Sequence, residues 1–159
     1  MSIRKRNSIA FAAFYASAYY ITSTLLGPVS FGVLNLRFAN ILLGLVPIFG
    51  MPAVIGQTLG VFFTNITSPL GPLDIANTLP SFICSWIIVK LRDVSVILGL
   101  LIYTTVLGTT VSLLISYVLN LPFLPTFLSV TAGIGVVAVV AAYILYMALV
   151  RVGVQRYVH

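Results

Sequence analysis

The sequence predicts an all-α integral membrane protein, a single domain over residues 1–159 with six transmembrane helices and both termini cytoplasmic. Composition sets the class: 60% of residues are hydrophobic and 6% charged, with a mean hydropathy of +1.18. A soluble domain carries about 25% charged residues. The order of apolar stretches and turn signals sets the number of spans. The distribution of basic residues sets the orientation: Arg4, Lys5 and Arg6 precede the first stretch, Lys90 and Arg92 separate the fourth from the fifth, and Arg151 and Arg156 follow the last. Cytoplasmic ends of membrane proteins are enriched in such residues. The net charge of +6 is therefore read as topology and attraction to anionic lipid. No basic stripe interleaved with aromatics supports nucleic-acid binding.

The first span covers residues 8–27 and stops at Gly27-Pro28. Its 20 residues exceed the roughly 7–15 of a signal-peptide core, and no clear cleavage signal follows, so it is expected to be retained. Residues 29–36 read as a loop, with Pro28 and Gly32 disfavouring a helix. The apolar run over 35–67 is interrupted at Gly50-Met51-Pro52. One helix there would put Lys90 and Arg92 outside, whereas two, over 35–50 and 52–67, return them to the cytoplasmic side. Two is the reading adopted. These helices have about 16 residues against roughly 20 for a lipid-exposed span, which suits packing within a bundle or an end in a substrate cavity. Pro69 and Gly71-Pro72 mark the next turn. The remaining spans cover about 73–89, 94–119 and 127–150, with 120–125 joining the last two. No internal repeat emerges.

Two charges break the pattern. Arg37 opens the second span and Asp74 the fourth, both at the outer face. Charges beside hydrocarbon are costly and mark functional sites by default. A mutual salt bridge, or snorkelling by Arg37, is the alternative. Asp74 also begins a polar face with Asn77, Thr78, Ser81 and Ser85, whose spacing gathers them on one side of a helix. Interhelical hydrogen bonding explains the hydroxyls, and Asp74 with Asn77 less well. Pro80 should bend this helix or free a carbonyl, and Trp86 reads as an interfacial anchor. Small residues recur at Ser8, Ala12 and Ala16, flanked by Tyr15, Tyr19 and Tyr20, and at Gly56 and Gly60; such stripes allow close helix approach.

Several activities are excluded. There is no G-x-x-x-x-G-K-[ST] loop for ATP. The only histidine, His159, is terminal, so there is no buried Ser–His dyad. Asp93 lies across the membrane from Asp74, which removes a two-aspartate protease. No cluster of metal ligands occurs, and the lone Cys84 precludes an intrachain disulfide. The chain reads as a binder without a cofactor, not as an enzyme.

The runs GPVSFGVLNLR, GMPAVIGQTLGVFFTNI and SPLGPLDIANTLPS resemble the queuosine-precursor transporter family of the QueT type, substrate-binding S-components of energy-coupling factor (ECF) importers. The resemblance rests on Phe31-Gly32, Arg37, Gly56, Gly60, Asn65, Gly71 and Leu73-Asp74, within residues 27–90. Where that family usually has a glutamate three residues after the arginine, this chain has Asn40. The resemblance implies a six-helix S-component in the plasma membrane with an outer-face pocket capped by the loop after the first span. It also implies a T-component and two cytoplasmic ATPases as partners, with docking through Ala12 and Ala16, near Ser8.

The implied ligand is a deazaguanine base, whose ring N–H and exocyclic amine form a donor pair that a carboxylate accepts. Asp74 is the candidate acceptor, supported by Asn77 or Asn40. Arg37 would bind the carbonyl edge or orient Asp74. Phe31 and Phe38 are candidate stacking or lid residues, and Asn65 closes the site set. A different vitamin-like ligand, or a non-transporting membrane scaffold with a structural Arg37–Asp74 bridge, remains the alternative.

Overall fold

In the computed structural model, which describes residues 3–30, 35–70 and 72–154, the chain is a bundle of apolar helices with no strand among the described residues. Helix α1 is Ile3–Leu25, followed by a short turn of helix at Gly27–Ser30. Then come α2 (Phe38–Phe49), α3 (Met51–Ile66), α4 (Pro72–Leu91), α5 (Val96–Leu119) and α6 (Phe123–Arg151). Among the described residues, α4, α5 and α6 are long and apolar enough to cross a membrane, while α2 and α3 are shorter apolar helices.

The break between α2 and α3 falls at Gly50, whose φ of 63° and ψ of −135° suit a residue without Cβ. The turn lies against Arg92, so it shares an end of the bundle with the loop after α4. Most of α2 is 3₁₀ helix, over Phe38–Leu45. That form rises about 2.0 Å per residue against about 1.5 Å for an α-helix, so twelve residues here reach farther than their number implies.

Prolines shape the other helices differently from the sequence expectation. Pro80 is the third residue of the α-helical part of α4, Thr78–Leu91, which follows a 3₁₀ start over Pro72–Asn77. It occupies a first-turn position, where proline's missing N–H costs little, and not a mid-helix kink. Pro122 caps α6 and Pro125 sits in its first turn, so this helix starts at Phe123, inside the segment expected to be a connection. Within α6, Val136–Ala141 forms a π-helical segment. Asn120 adopts the left-handed conformation that ends α5.

The helices touch in a closed circuit: α1 against α3, α3 against α4, then α5, α6, α2 and back to α1. Close approach comes from glycines. A Cβ at Gly56 would lie 2.7 Å from the Cβ of Tyr15 and 2.9 Å from the Ala12 carbonyl oxygen. One at Gly60 would lie 2.7 Å from the Cβ of Tyr19. Thus Tyr15 and Tyr19 of α1 seat in notches of α3. On α2, Gly44 abuts the backbone of Ala142 in α6. Outside, Phe14, Leu79, Leu128 and Ile144 are exposed, the apolar exterior of a bilayer-embedded bundle. In lipid, helices associate through such van der Waals fit and interhelical hydrogen bonds, because the surroundings are as apolar as the core.

Replacing Gly60 by leucine should therefore force α1 from α3 and destabilise the protein by roughly 1–3 kcal/mol or more, the scale of overpacking. Thermal unfolding in detergent measures this, with Leu59→Ala on the exposed face of α3 as the near-neutral control.

Candidate functional site

Polar side chains converge inside the circuit from five of its six helices. Arg37, at the start of α2, is 4% exposed and Asp74, in the 3₁₀ turn opening α4, is 0% exposed. Arg37 Nη2 stands 3.5 Å from Asp74 Oδ2. That is an ion pair, yet longer than the roughly 2.7–2.9 Å of a charge-assisted hydrogen bond. Asp74 Oδ1 accepts from Asn77 Nδ2 at 2.9 Å, three residues along the same helix. Asp74 Oδ2 accepts no hydrogen bond from a described residue. An ionised carboxylate has about four lone-pair positions, so this one keeps acceptor capacity in a buried setting.

Asn65, the next-to-last residue of α3, donates from Nδ2 to the Asp74 carbonyl oxygen at 2.9 Å. It thereby ties the end of one helix to the start of the next and sets where the carboxylate stands. Its Oδ1, like Thr64 Oγ1 just before it and Thr78 Oγ1 just after Asn77, is also buried without a hydrogen bond to a described residue. Buried polar groups are normally satisfied, and a concentration of exceptions marks a site.

Beside the pair lies a network that sequence reasoning did not assemble. Tyr19 donates to Asn40 Oδ1 at 2.9 Å. Tyr15 donates to Gln57 Oε1 at 2.9 Å, Gln57 Nε2 donates to Tyr103 at 3.3 Å, and the Tyr103 hydroxyl lies 3.5 Å from Ser81 Oγ. All these side chains are buried. Gln57 and Tyr103 were absent from the expected site. The available signal was one glutamine inside an otherwise apolar stretch of α3, a costly residue that needs partners.

The other expected residues fall elsewhere. Phe31 lies outside the described residues. Phe38 is 43% exposed at the start of α2. Ala12 and Ala16 are each 7% exposed and packed towards α3, and Ser8 is half-buried. The small residues that α1 exposes are Ala10, Ala13 and Ser17. Ala13, Ala16 and Ser17 border an open groove of about 510 Å³ with Leu59 and Phe63, on the outside of α1 and α3.

An apolar helical bundle encloses this charged, hydrogen-bonded centre, and three of its helices are long and apolar enough to cross a membrane, the build of a membrane protein. A model of the QueT transporter family matches residues 9–151, nearly the whole chain, and the protein belongs to that family, one of transporters and not enzymes. No curated protein and no solved structure matches the chain.

Gln57→Leu should leave the Tyr15 hydroxyl buried and unpaired, at a cost of roughly 1–3 kcal/mol. The double variant with Tyr15→Phe removes that orphan and should recover part of the loss. Unfolding of the three proteins in detergent checks both steps; equal stability of the single and double variants would contradict the pairing.

Proposed function

We propose that the protein is the substrate-binding S-component of an ECF-type importer, capturing a queuosine precursor, a deazaguanine base, at the outer face of the plasma membrane. One observation carries the reading: Asp74 is fully buried, held at Oδ1 by Asn77, and its Oδ2 faces Arg37 without a hydrogen bond from a described residue. A base presenting a ring N–H and an adjacent amine would supply the two donors that this carboxylate can accept. Arg37, with Asn40 alongside, supplies donors for the carbonyl edge of the same ring. Asn65 positions the carboxylate through the backbone of Asp74.

The six helices act as six spans with both termini cytoplasmic, a reading supported by Gly50 and Arg92 lying at one end of the bundle. Energy then comes from outside the chain, which has no phosphate-binding loop: a membrane T-component and two cytoplasmic ATPases. Helix docking would use the small residues of α1 that line the outer groove, Ala16 with Ala13 and Ser17, beside the buried Ala12.

Asp74→Asn should weaken deazaguanine binding by roughly 2–3 kcal/mol, the scale of a charge-assisted hydrogen bond, or on the order of a hundredfold in affinity. Arg37→Gln should cost as much if the guanidinium touches the ligand and less if it only orients Asp74. Calorimetric titration measures both, with thermal stability as the control. Unchanged affinity in Asp74→Asn reduces the pair to a structural bridge, as in a membrane scaffold. Uphill uptake by vesicles holding this chain alone would contradict the dependence on ATPase partners.

A further inference from the structure

Two buried hydroxyls on neighbouring helices depart from the habit of other helical hydroxyls in this chain. Thr24, Thr58, Thr105 and Thr109 each donate to the carbonyl oxygen four residues earlier in their own helix. That bond is the ordinary local satisfaction of a helical serine or threonine. Ser23 on α1 and Thr64 on α3 leave it unused. Both residues are fully buried, and neither hydroxyl has a hydrogen bond to a described residue. A hydroxyl buried in this way costs free energy until a partner arrives.

Packing register places both at the level of the ion pair. Helices α1 and α3 run parallel: Tyr15 meets Gly56 and Tyr19 meets Gly60, so the next step of four residues on each brings Ser23 beside Thr64. Helices α1 and α2 run antiparallel, since Phe11 stacks on Phe49 with ring centroids 4.2 Å apart while Tyr19 bonds Asn40. Beyond that bond, four residues of α-helix and three of 3₁₀ helix each advance about 6 Å, which brings Ser23 level with Arg37. Thr64 directly precedes Asn65, whose amide holds the backbone of Asp74. One layer of the bundle therefore carries Ser23, Arg37, Thr64 and Asp74, each from a different helix.

We propose that Ser23 and Thr64 are ligand-contacting residues whose hydroxyls donate to the ligand's carbonyl oxygen alongside Arg37. The inference rests on the deazaguanine reading of the site and adds two residues to it. A carbonyl oxygen has two lone pairs, so one guanidinium N–H leaves a position for a hydroxyl donor. Asp74 is the acceptor for the ligand's N–H groups, which leaves the carbonyl as the group that calls for donors. Helix α1 packs against both α2 and α3, so the two hydroxyls lie on the Arg37 side of the layer.

The test is calorimetric titration of purified protein with deazaguanine and with its thiocarbonyl analogue, which keeps the N–H donors for Asp74 and offers a weak sulfur acceptor in place of oxygen. The double variant Ser23→Ala/Thr64→Val keeps the bulk of both side chains and deletes both hydroxyls. It should bind deazaguanine roughly tenfold more weakly than wild type, the scale of one hydrogen bond. The thiocarbonyl compound should stay within about threefold of its wild-type affinity, since little hydrogen bonding to sulfur is lost. Ligand-free thermal stability should be unchanged or higher, because the variant removes two unpartnered hydroxyls. Wild-type affinity for deazaguanine in the variant, or equal weakening of both compounds, overturns the proposal. So does a loss of ligand-free stability, which would show hydroxyls already bonded within the protein. Wild-type protein that binds neither compound would overturn the deazaguanine reading, and this inference with it.

Discussion

The separation of charge from water at Arg37 and Asp74 governs the rest of the molecule. Neither side chain has meaningful access to solvent, and the two meet at 3.5 Å. A buried ion pair repays its desolvation only with good geometry and further hydrogen bonds, and well-packed apolar residues often do as well or better. This pair is loose, and one carboxylate oxygen is without a hydrogen bond to a described residue. Stability alone therefore gives a poor reason for placing two charges there. A ligand that completes the carboxylate's hydrogen bonds gives a better one.

Holding those charges in register requires the surrounding structure. Asn65 links α3 to the backbone of Asp74, and Asn77 fixes one carboxylate oxygen. Tyr19 reaches Asn40 from α1, which is possible because Gly60 lets the tyrosine ring lie against α3. Gln57 spans Tyr15 and Tyr103, so α1, α3 and α5 share one hydrogen-bonded centre. The glycine notches and the polar network are thus parts of one arrangement: close packing brings the tyrosine hydroxyls within reach of Asn40 and Gln57.

Much of this was legible in the sequence, for identifiable reasons. Arg37 and Asp74 stood out because charge is rare in so apolar a chain, and Asn77 followed from its i+3 spacing. The Gly50 break was forced by the parity of basic residues. Gln57 and Tyr103 were not legible as partners, since a pairing 46 residues apart leaves no local period. The small-residue stripe of α1 does not by itself tell a neighbour inside the chain from a partner outside, and here Ala12 and Ala16 are buried while Ala16 also lines the outer groove. Pro80 was read as a bend and residues 120–125 as a connection, and first-turn placement makes Pro80 and Pro125 compatible with helix.

The most direct measurement is a structure of the protein with deazaguanine bound. The account predicts the ring N–H and amine about 3 Å from the Asp74 carboxylate, within hydrogen-bond range, with the carbonyl edge turned to Arg37 and Asn40. A base lodged in the outer groove beside Ala13, Ser17 and Phe63, with the Arg37–Asp74 pair closed and untouched, would contradict it.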